Sequence, residues 1–231
     1  MSNELKHVAP KDATPTSGRG MLIVVSSPSG GGKGTLIDRV LQTVAGVSYS
    51  VSYTTRAPRA KEQDGREYFF VTTAAFKEMI ERGEFLEWAD VYGHYYGTNH
   101  RQVDRERDAG RDIILEIDVQ GAESIRGLVP DAVSVFILPP SFEMLRTRLT
   151  ARGTDSAEDL QRRLRGAPAE VEQYRKFQYV ILNDDINRAS AQLASVIYAE
   201  RARRERQETT LRDALADFAR VGSATTTVSE K

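Results

Sequence analysis

Apolar residues run almost unbroken through Met21–Ser26 (Met-Leu-Ile-Val-Val-Ser), the pattern of a parallel strand buried on both faces. Beyond it, Leu36, Ile37, Val40 and Leu41 fall on one stripe of a helix over Lys33–Thr43. The same reading predicts strands at Ser48–Tyr53, Tyr68–Val71, Asp112–Ile117, Ala132–Leu138 and Tyr179–Leu182. Helices are predicted at Thr73–Arg82, His100–Ala109, Gly121–Leu128, Ser141–Thr150 and Ile186–Ala202. One more helix is expected from Ser156 to Arg165, interrupted near Pro168 and resuming through Tyr174. Phe85–Tyr96 carries both tight-turn and strand signals.

Strands alternating with helices imply an α/β domain on a mostly parallel sheet. The irregular stretch from about 50 to 98 breaks the alternation and reads as an inserted subdomain. Residues 1–19 read as a loose, disordered tail with no apolar signal segment. Beyond 202 the chain is rich in charge, with arginines at 201, 203, 204 and 206 balanced by Glu205 and Glu208, the mark of a solvated helix face. Helical spacing resumes weakly at Leu211, Leu215 and Phe218, and Thr225–Lys231 reads as disordered.

Composition narrows the classes. The 231 residues suffice for one sizeable core with subdomains. A net charge of −1 argues against binding nucleic acid by bulk electrostatics. The absence of cysteine excludes disulfides and thiolate metal sites and suits a reducing, cytoplasmic setting. No apolar run reaches the length of a membrane helix. His7, His94 and His100 are scattered, so no histidine metal cluster is expected.

The chemistry begins where the first strand ends. Ser27-Pro28-Ser29-Gly30-Gly31-Gly32-Lys33-Gly34-Thr35 joins a buried strand to a helix, the layout of a loop that cradles nucleotide phosphates. The glycines let backbone amides curl around an anion, Lys33 adds a full charge, and the helix adds its positive dipole end. The motif departs from G-x-x-x-x-G-K-[ST] in two places. Ser27 replaces the first glycine, and Gly34 replaces the hydroxyl residue that usually touches Mg²⁺. Thr35 stands one place late. No protein side chain is therefore assigned to the metal, and Mg²⁺ is expected on phosphate oxygens and waters. The plain alternative is a flexible Ser/Gly loop, which has no need of a lysine at that position.

Arg56 and Arg59 stand three apart around Pro58, two guanidinium forks able to grip one phosphate, with Tyr68 and Tyr96 as hydroxyl donors. A solvated basic turn is the bland alternative. Glu87, between Leu86 and Trp88 in an aromatic-rich string, reads as a carboxylate in a partly apolar pocket. There it would accept hydrogen bonds from guanine N1–H and its exocyclic amine, whereas adenine presents a lone pair at N1. An aromatic mini-core with one exposed Glu remains the alternative.

Eight separated motifs keep one order: the glycine loop, Thr54-Thr55-Arg56-Ala57-Pro58-Arg59, Asp64-Gly65-Arg66-Glu67-Tyr68, Phe85-Leu86-Glu87-Trp88, Tyr95-Tyr96-Gly97-Thr98, Glu116-Ile117-Asp118-Val119-Gln120-Gly121, Arg152-Gly153-Thr154 and Asn183-Asp184-Asp185. Together they resemble guanylate kinases, nucleoside monophosphate kinases of the P-loop class, over about residues 20–200. The resemblance implies a three-layer P-loop fold with a core of 20–49, 101–150 and 171–202, a GMP-binding subdomain at 50–100, a helical lid at 151–170 and a charged extension at 203–231. It implies transfer of the γ-phosphoryl group of ATP to GMP, and by extension dGMP. By position, Arg56, Arg59, Tyr68 and Tyr96 would hold the GMP phosphate, and Ser52, Glu87, Thr98 and Asp118 would read guanine. Glu116 would touch GMP or the magnesium water shell. Arg148, Arg152 and Arg163 would close on the transferring phosphate, and Asn183 would lie near adenine.

Two other readings stay open on sequence grounds. One is a related P-loop kinase with another phosphate acceptor. The other is a catalytically silent guanylate-kinase-like module that binds proteins, against which stand the retained Lys33 and glycines. The sequence does not settle the oligomeric state.

Overall fold

A computed structural model describes residues 18–59, 62–152 and 156–226, with 221–226 as backbone alone. Most of the expected N-terminal tail, and residues 227–231 of the expected disordered end, lie outside the described residues. In chain order the first half holds β1 (Leu22–Ser26), α1 (Lys33–Thr43), β2 (Val47–Tyr49), β3 (Tyr53–Thr54), β4 (Phe69–Phe70), α2 (Thr73–Glu81), β5 (Phe85–Val91) and β6 (His94–Asn99). The second half holds α3 (His100–Asp108), β7 (Asp112–Glu116), α4 (Val119–Leu128), β8 (Val133–Leu138), α5 (Phe142–Arg152), α6 (Ala157–Glu172), β9 (Tyr179–Leu182), α7 (Ile186–Arg201) and α8 (Arg204–Thr226), with a 3-10 turn at Gln173–Lys176.

The main sheet runs β2-β7-β1-β8-β9, all parallel. Its central strand explains the unbroken apolar run. Ile23 and Val25 pack with Leu36, Ile37 and Val40 of α1 and Leu193 and Ile197 of α7 on one face. Leu22 and Val24 pack with Val103 of α3 and Ala122 and Ile125 of α4 on the other. Helices on both faces make three layers, and the carboxyl ends of β1 and β7 form the crevice where such sheets hold ligands.

The chain leaves this sheet at Ser50. The predicted single strand Ser48–Tyr53 is in fact two: Val47–Tyr49 pairs with β7, and Tyr53–Thr54 joins a second sheet of order β4-β3-β6-β5. The alternation of serine with tyrosine and valine runs through the junction, where Ser50, Val51 and Ser52 are all buried. At the junction the Ser50 N–H still donates to the Ile114 carbonyl, while Ser52 O already accepts from Phe69 N–H. The ambiguous stretch after Phe85 is a hairpin. Val91 pairs with His94, and Tyr92 and Gly93 turn between them at φ 56° and 83°, the left-handed pair such a two-residue turn requires. Phe76 stacks on Phe85 at 4.4 Å in the small core of this sheet. Gly97 makes that possible, since a Cβ there would stand 2.8 Å from Phe85 and 2.9 Å from Phe76.

Two helical expectations need correcting. α6 runs without a break across Pro168, because it is held on both sides of the proline. Leu160, Leu164 and Ala167 pack on Leu145 and Leu149 of α5, and Glu170 beyond the proline is hydrogen-bonded to Ser29 and Tyr92. α8 is continuous from Arg204 and includes Thr225 and Thr226. It is supported at its start by an Arg204–Glu208 pair at 3.3 Å, one turn apart. No helix among the described residues is long and apolar enough to cross a membrane.

Candidate active site

The loop between β1 and α1 is an open anion socket. Gly30 and Gly32 hold φ of 85° and 89°, conformations that cost glycine little. Gly32 caps α1 with no side chain, and no acidic residue stands in the first turn, so the amides at the helix start are left for a ligand. The loop is braced from behind. The Asn183 amide donates to the Gly31 carbonyl at 2.8 Å, and the Arg148 guanidinium reaches the same carbonyl at 3.2 Å and Asn183 O at 3.0 Å. A Cβ on Gly32 would stand 2.4 Å from Asn183 Nδ2.

Register then places acidic residues beside the socket. Val25 of β1 pairs with Glu116 of β7, so Glu116 arrives at the foot of the loop. Its carboxylate lies 4.0 Å from Lys33 Nζ and accepts the Tyr49 hydroxyl at 3.2 Å. Two residues on, Asp118 caps α4 by accepting the Gly121 N–H at 2.9 Å.

Across the cleft, an irregularity in β5 between Phe85 and Glu87 sets Glu87 directly opposite Thr98. The Thr98 hydroxyl donates to Glu87 Oε1 at 2.6 Å. Strand alternation puts Glu87, Ala89 and Val91 on the cleft side and leaves Trp88 on the other, its ring against Tyr95. Trp88, the sequence neighbour of Glu87, is therefore not part of the pocket around that carboxylate, since neighbours along a strand point to opposite faces. What closes on Glu87 instead is the first turn of α4, where a Cβ on Gly121 would stand 2.6 Å from Glu87 Oε2. Burial, with only 6 % of the residue exposed, pushes the Glu87 carboxyl up to about 7; the Thr98 bond pulls it down and the nearby Asp118 charge pushes it up.

Arg56, Tyr68 and Tyr96 also come together. Arg56 lies over the Tyr68 ring at 5.4 Å, and Tyr68 meets Tyr96 edge-on at 5.8 Å. Burial, then the Glu116 charge, holds the Tyr68 hydroxyl protonated by raising its pKa. One nitrogen of Arg56 engages both oxygens of Glu62 at 2.9 Å, and the Arg59 N–H donates to the same carboxylate at 2.8 Å. A carboxylate is thus seated on the Arg56 guanidinium and the Arg59 backbone amide, two donors of the kind that suit an anion.

One cleft of about 660 Å³ joins these parts. It is lined by Ser27 and Ser29–Gly34 of the loop, by Ser52, Arg56, Arg59, Tyr68, Glu87 and Tyr96 of the insertion, and by Glu116, Asp118 and Arg163. Other expected site residues are not in its wall. Thr98 is buried behind Glu87, Pro28 is buried under the loop, and Thr35 is exposed on α1. Asn183 and Arg148 engage the Gly31 carbonyl of the loop. Arg152 closes α5, and its side chain lies outside the described residues, as do Gly153 and Thr154. Tyr92, His94, Asp159 and Glu170 line the cleft although no sequence motif marked them.

The residues present fit a magnesium ion carried by phosphates and waters. A Cβ at Gly34 would meet only the Glu116 carboxylate oxygens, at 3.7 Å. Room and one carboxylate stand where a hydroxyl ligand is missing, and no group of three metal-ligating side chains occurs among the described residues.

The chain is similar to known proteins along most of its length. The family model for guanylate kinase matches residues 19–200. A guanylate kinase of Dechloromonas aromatica is 52 % identical over 180 residues, covering 78 % of this chain and 89 % of that protein. One of Thiobacillus denitrificans is 47 % identical over 194 residues, covering 84 % and 93 %. The crystal structure of guanylate kinase from Anaplasma phagocytophilum superposes with a TM-score of 0.70 at 34 % identity, covering 82 % of this chain and 90 % of that one. With the family model matched over residues 19–200 and relatives about half identical over most of its length, this chain belongs to the guanylate kinase family.

Proposed function

We propose that this chain transfers the γ-phosphoryl group of ATP to GMP, and to dGMP, giving ADP and GDP or dGDP in purine nucleotide supply in the cytoplasm. The observation that carries the reading is the single cleft with the Lys33 socket at one side and Glu87 with Arg56 at the other. Two polyanions must be brought together in line, and their repulsion must be cancelled. The loop amides and Lys33 take the ATP phosphates. Arg56, Arg59, Tyr68 and Tyr96 take the GMP phosphate. Ser52, Glu87, Thr98 and Asp118 read the guanine edge, with Thr98 acting through its bond to Glu87.

An oxygen of the GMP phosphate attacks the γ-phosphorus as the bond to the β-phosphate oxygen breaks, so ADP leaves with the electron pair. The nucleophile is already anionic, and no side chain has to act as a general base. Arg163, on the wall of the cleft, adds positive charge to the transferring group, as do Arg148 and Arg152 of α5. Magnesium bound with ATP would supply charge neutralisation, and Glu116 would hold its water shell. Asn183 serves by fixing the loop carbonyl. The insertion and α6 exclude water, which suppresses ATP hydrolysis.

A coupled assay for ADP tests the proposal. ADP is expected only when ATP, magnesium and GMP or dGMP are all present. ADP formation that ignores GMP, or none at all, contradicts it.

A further inference from the structure

Glu170 sits at a junction of three parts of the molecule. Its Oε2 accepts the backbone N–H of Ser29 in the glycine loop at 3.0 Å. Its Oε1 accepts the hydroxyl of Tyr92 at 2.6 Å. Tyr92 forms the tip of the β5–β6 hairpin, and among the described residues it is the one non-glycine residue with positive φ. That backbone costs a tyrosine about 1–2 kcal/mol, and asparagine or glycine would fill the turn with less strain. The side chain explains its presence. Its ring carries the guanidinium of Arg163 at 5.7 Å, with Arg162 at the same distance. α6 comes close enough for this because Gly166 has no side chain: a Cβ there would stand 2.9 Å from the Tyr92 hydroxyl oxygen.

A carboxylate beside an anion-binding loop is electrostatically misplaced if its only task is packing, because it repels the phosphates the loop receives. It is well placed for coupling. One oxygen fixes the loop through a charge-assisted bond to an amide, and the other fixes the hairpin, while the backbone of Glu170 belongs to the helix that bears Arg163.

We propose that Glu170 is a positioning residue for phosphoryl transfer. Through Ser29 and Tyr92 it joins the phosphate loop, helix α6 and the acceptor subdomain, so that Arg163 reaches the cleft with loop and hairpin already in place. The inference rests on the kinase reading above and adds residues that reading does not use.

The test compares the full chain with Glu170→Gln, Tyr92→Phe and the double variant. Turnover is measured with ATP and GMP. Affinities for GMP and for a non-hydrolysable ATP analogue are measured separately by calorimetry. Each single variant is expected to lose about 10-fold in kcat while each separate Kd moves less than about 3-fold, and the double variant should be no slower than the slower single one. If Glu170→Gln does not fold, Tyr92→Phe, which removes one oxygen, decides alone. Unchanged kcat in the variants, or losses that multiply in the double variant, overturns the proposal. If the wild-type chain makes no ADP, the kinase reading fails, and hydrogen exchange at the Ser29 amide decides the junction. Faster exchange in Tyr92→Phe supports a link from hairpin to loop, and unchanged exchange overturns it.

Discussion

Thr98 and Glu87 share a 2.6 Å hydrogen bond at a cross-strand pair buried between the insertion and α4. The bond favours the ionised carboxylate, but burial outweighs it and the Glu87 carboxyl titrates near 7 rather than at its ordinary 4.5. The free protein therefore holds the carboxylate at a cost that a ligand donating two hydrogen bonds removes.

Stability should follow from that shift. Between about pH 4.5 and pH 7 the folded chain keeps a proton on Glu87 that the unfolded chain has released, so unfolding free energy falls as pH rises through the window. This group's contribution is complete below the unfolded value and lost above the folded one, a swing of about 3 kcal/mol. Thermal melts from about pH 5 to 8 are expected to show wild type losing stability relative to Glu87→Gln as pH rises. Parallel curves would remove this role for burial.

Lys33 stands 4.0 Å from Glu116 at the start of α1. Lys33→Ala removes a preorganised charge from the triphosphate and is expected to lower kcat by about 100- to 1,000-fold. GMP affinity, measured without ATP, should stay near the wild-type value. A loss shared equally by both substrates would place Lys33 in the general scaffold.

Asn183 donates to Gly31 from a buried position. Asn183→Ala leaves that carbonyl to Arg148 alone and is expected to lower stability by about 1–3 kcal/mol. It should also raise KM for ATP more than KM for GMP. Gly32→Ala should be worse, since its Cβ would stand 2.4 Å from Asn183 Nδ2 at a φ of 89°. Denaturant melts with paired KM values check both, and equal effects on the two substrates would contradict the brace.

These residues also show what the sequence could and could not reveal. The Met21–Ser26 run and the Leu36/Ile37/Val40 stripe were legible because burial on two faces and on one stripe leaves distinct periods. The glycine loop and the arginine pair were legible because their chemistry is local in sequence. The junction at Ser50 was not, since an alternating strand-like segment reads alike whether it serves one sheet or two. The continuity of α6 through Pro168 depends on partners in α5, in the loop and at Tyr92. Glu170 lies 141 positions from Ser29 and 78 from Tyr92, and nothing local in a single sequence links residues so far apart. The one hint the sequence carries is the Tyr92-Gly93 pair between two strand-like runs, a turn in which tyrosine is an unfavoured residue.

Guanine selection is proposed to rest on the buried Glu87 carboxylate across the cleft from Lys33. The ratio of kcat/KM for GMP to that for AMP, in wild type and in Glu87→Gln, tests it most directly. A wild-type ratio of at least about 1,000 is expected, falling about 100-fold or more in the variant as the paired donors lose their carboxylate. A wild-type ratio near one, or a high ratio untouched by the substitution, would contradict the account.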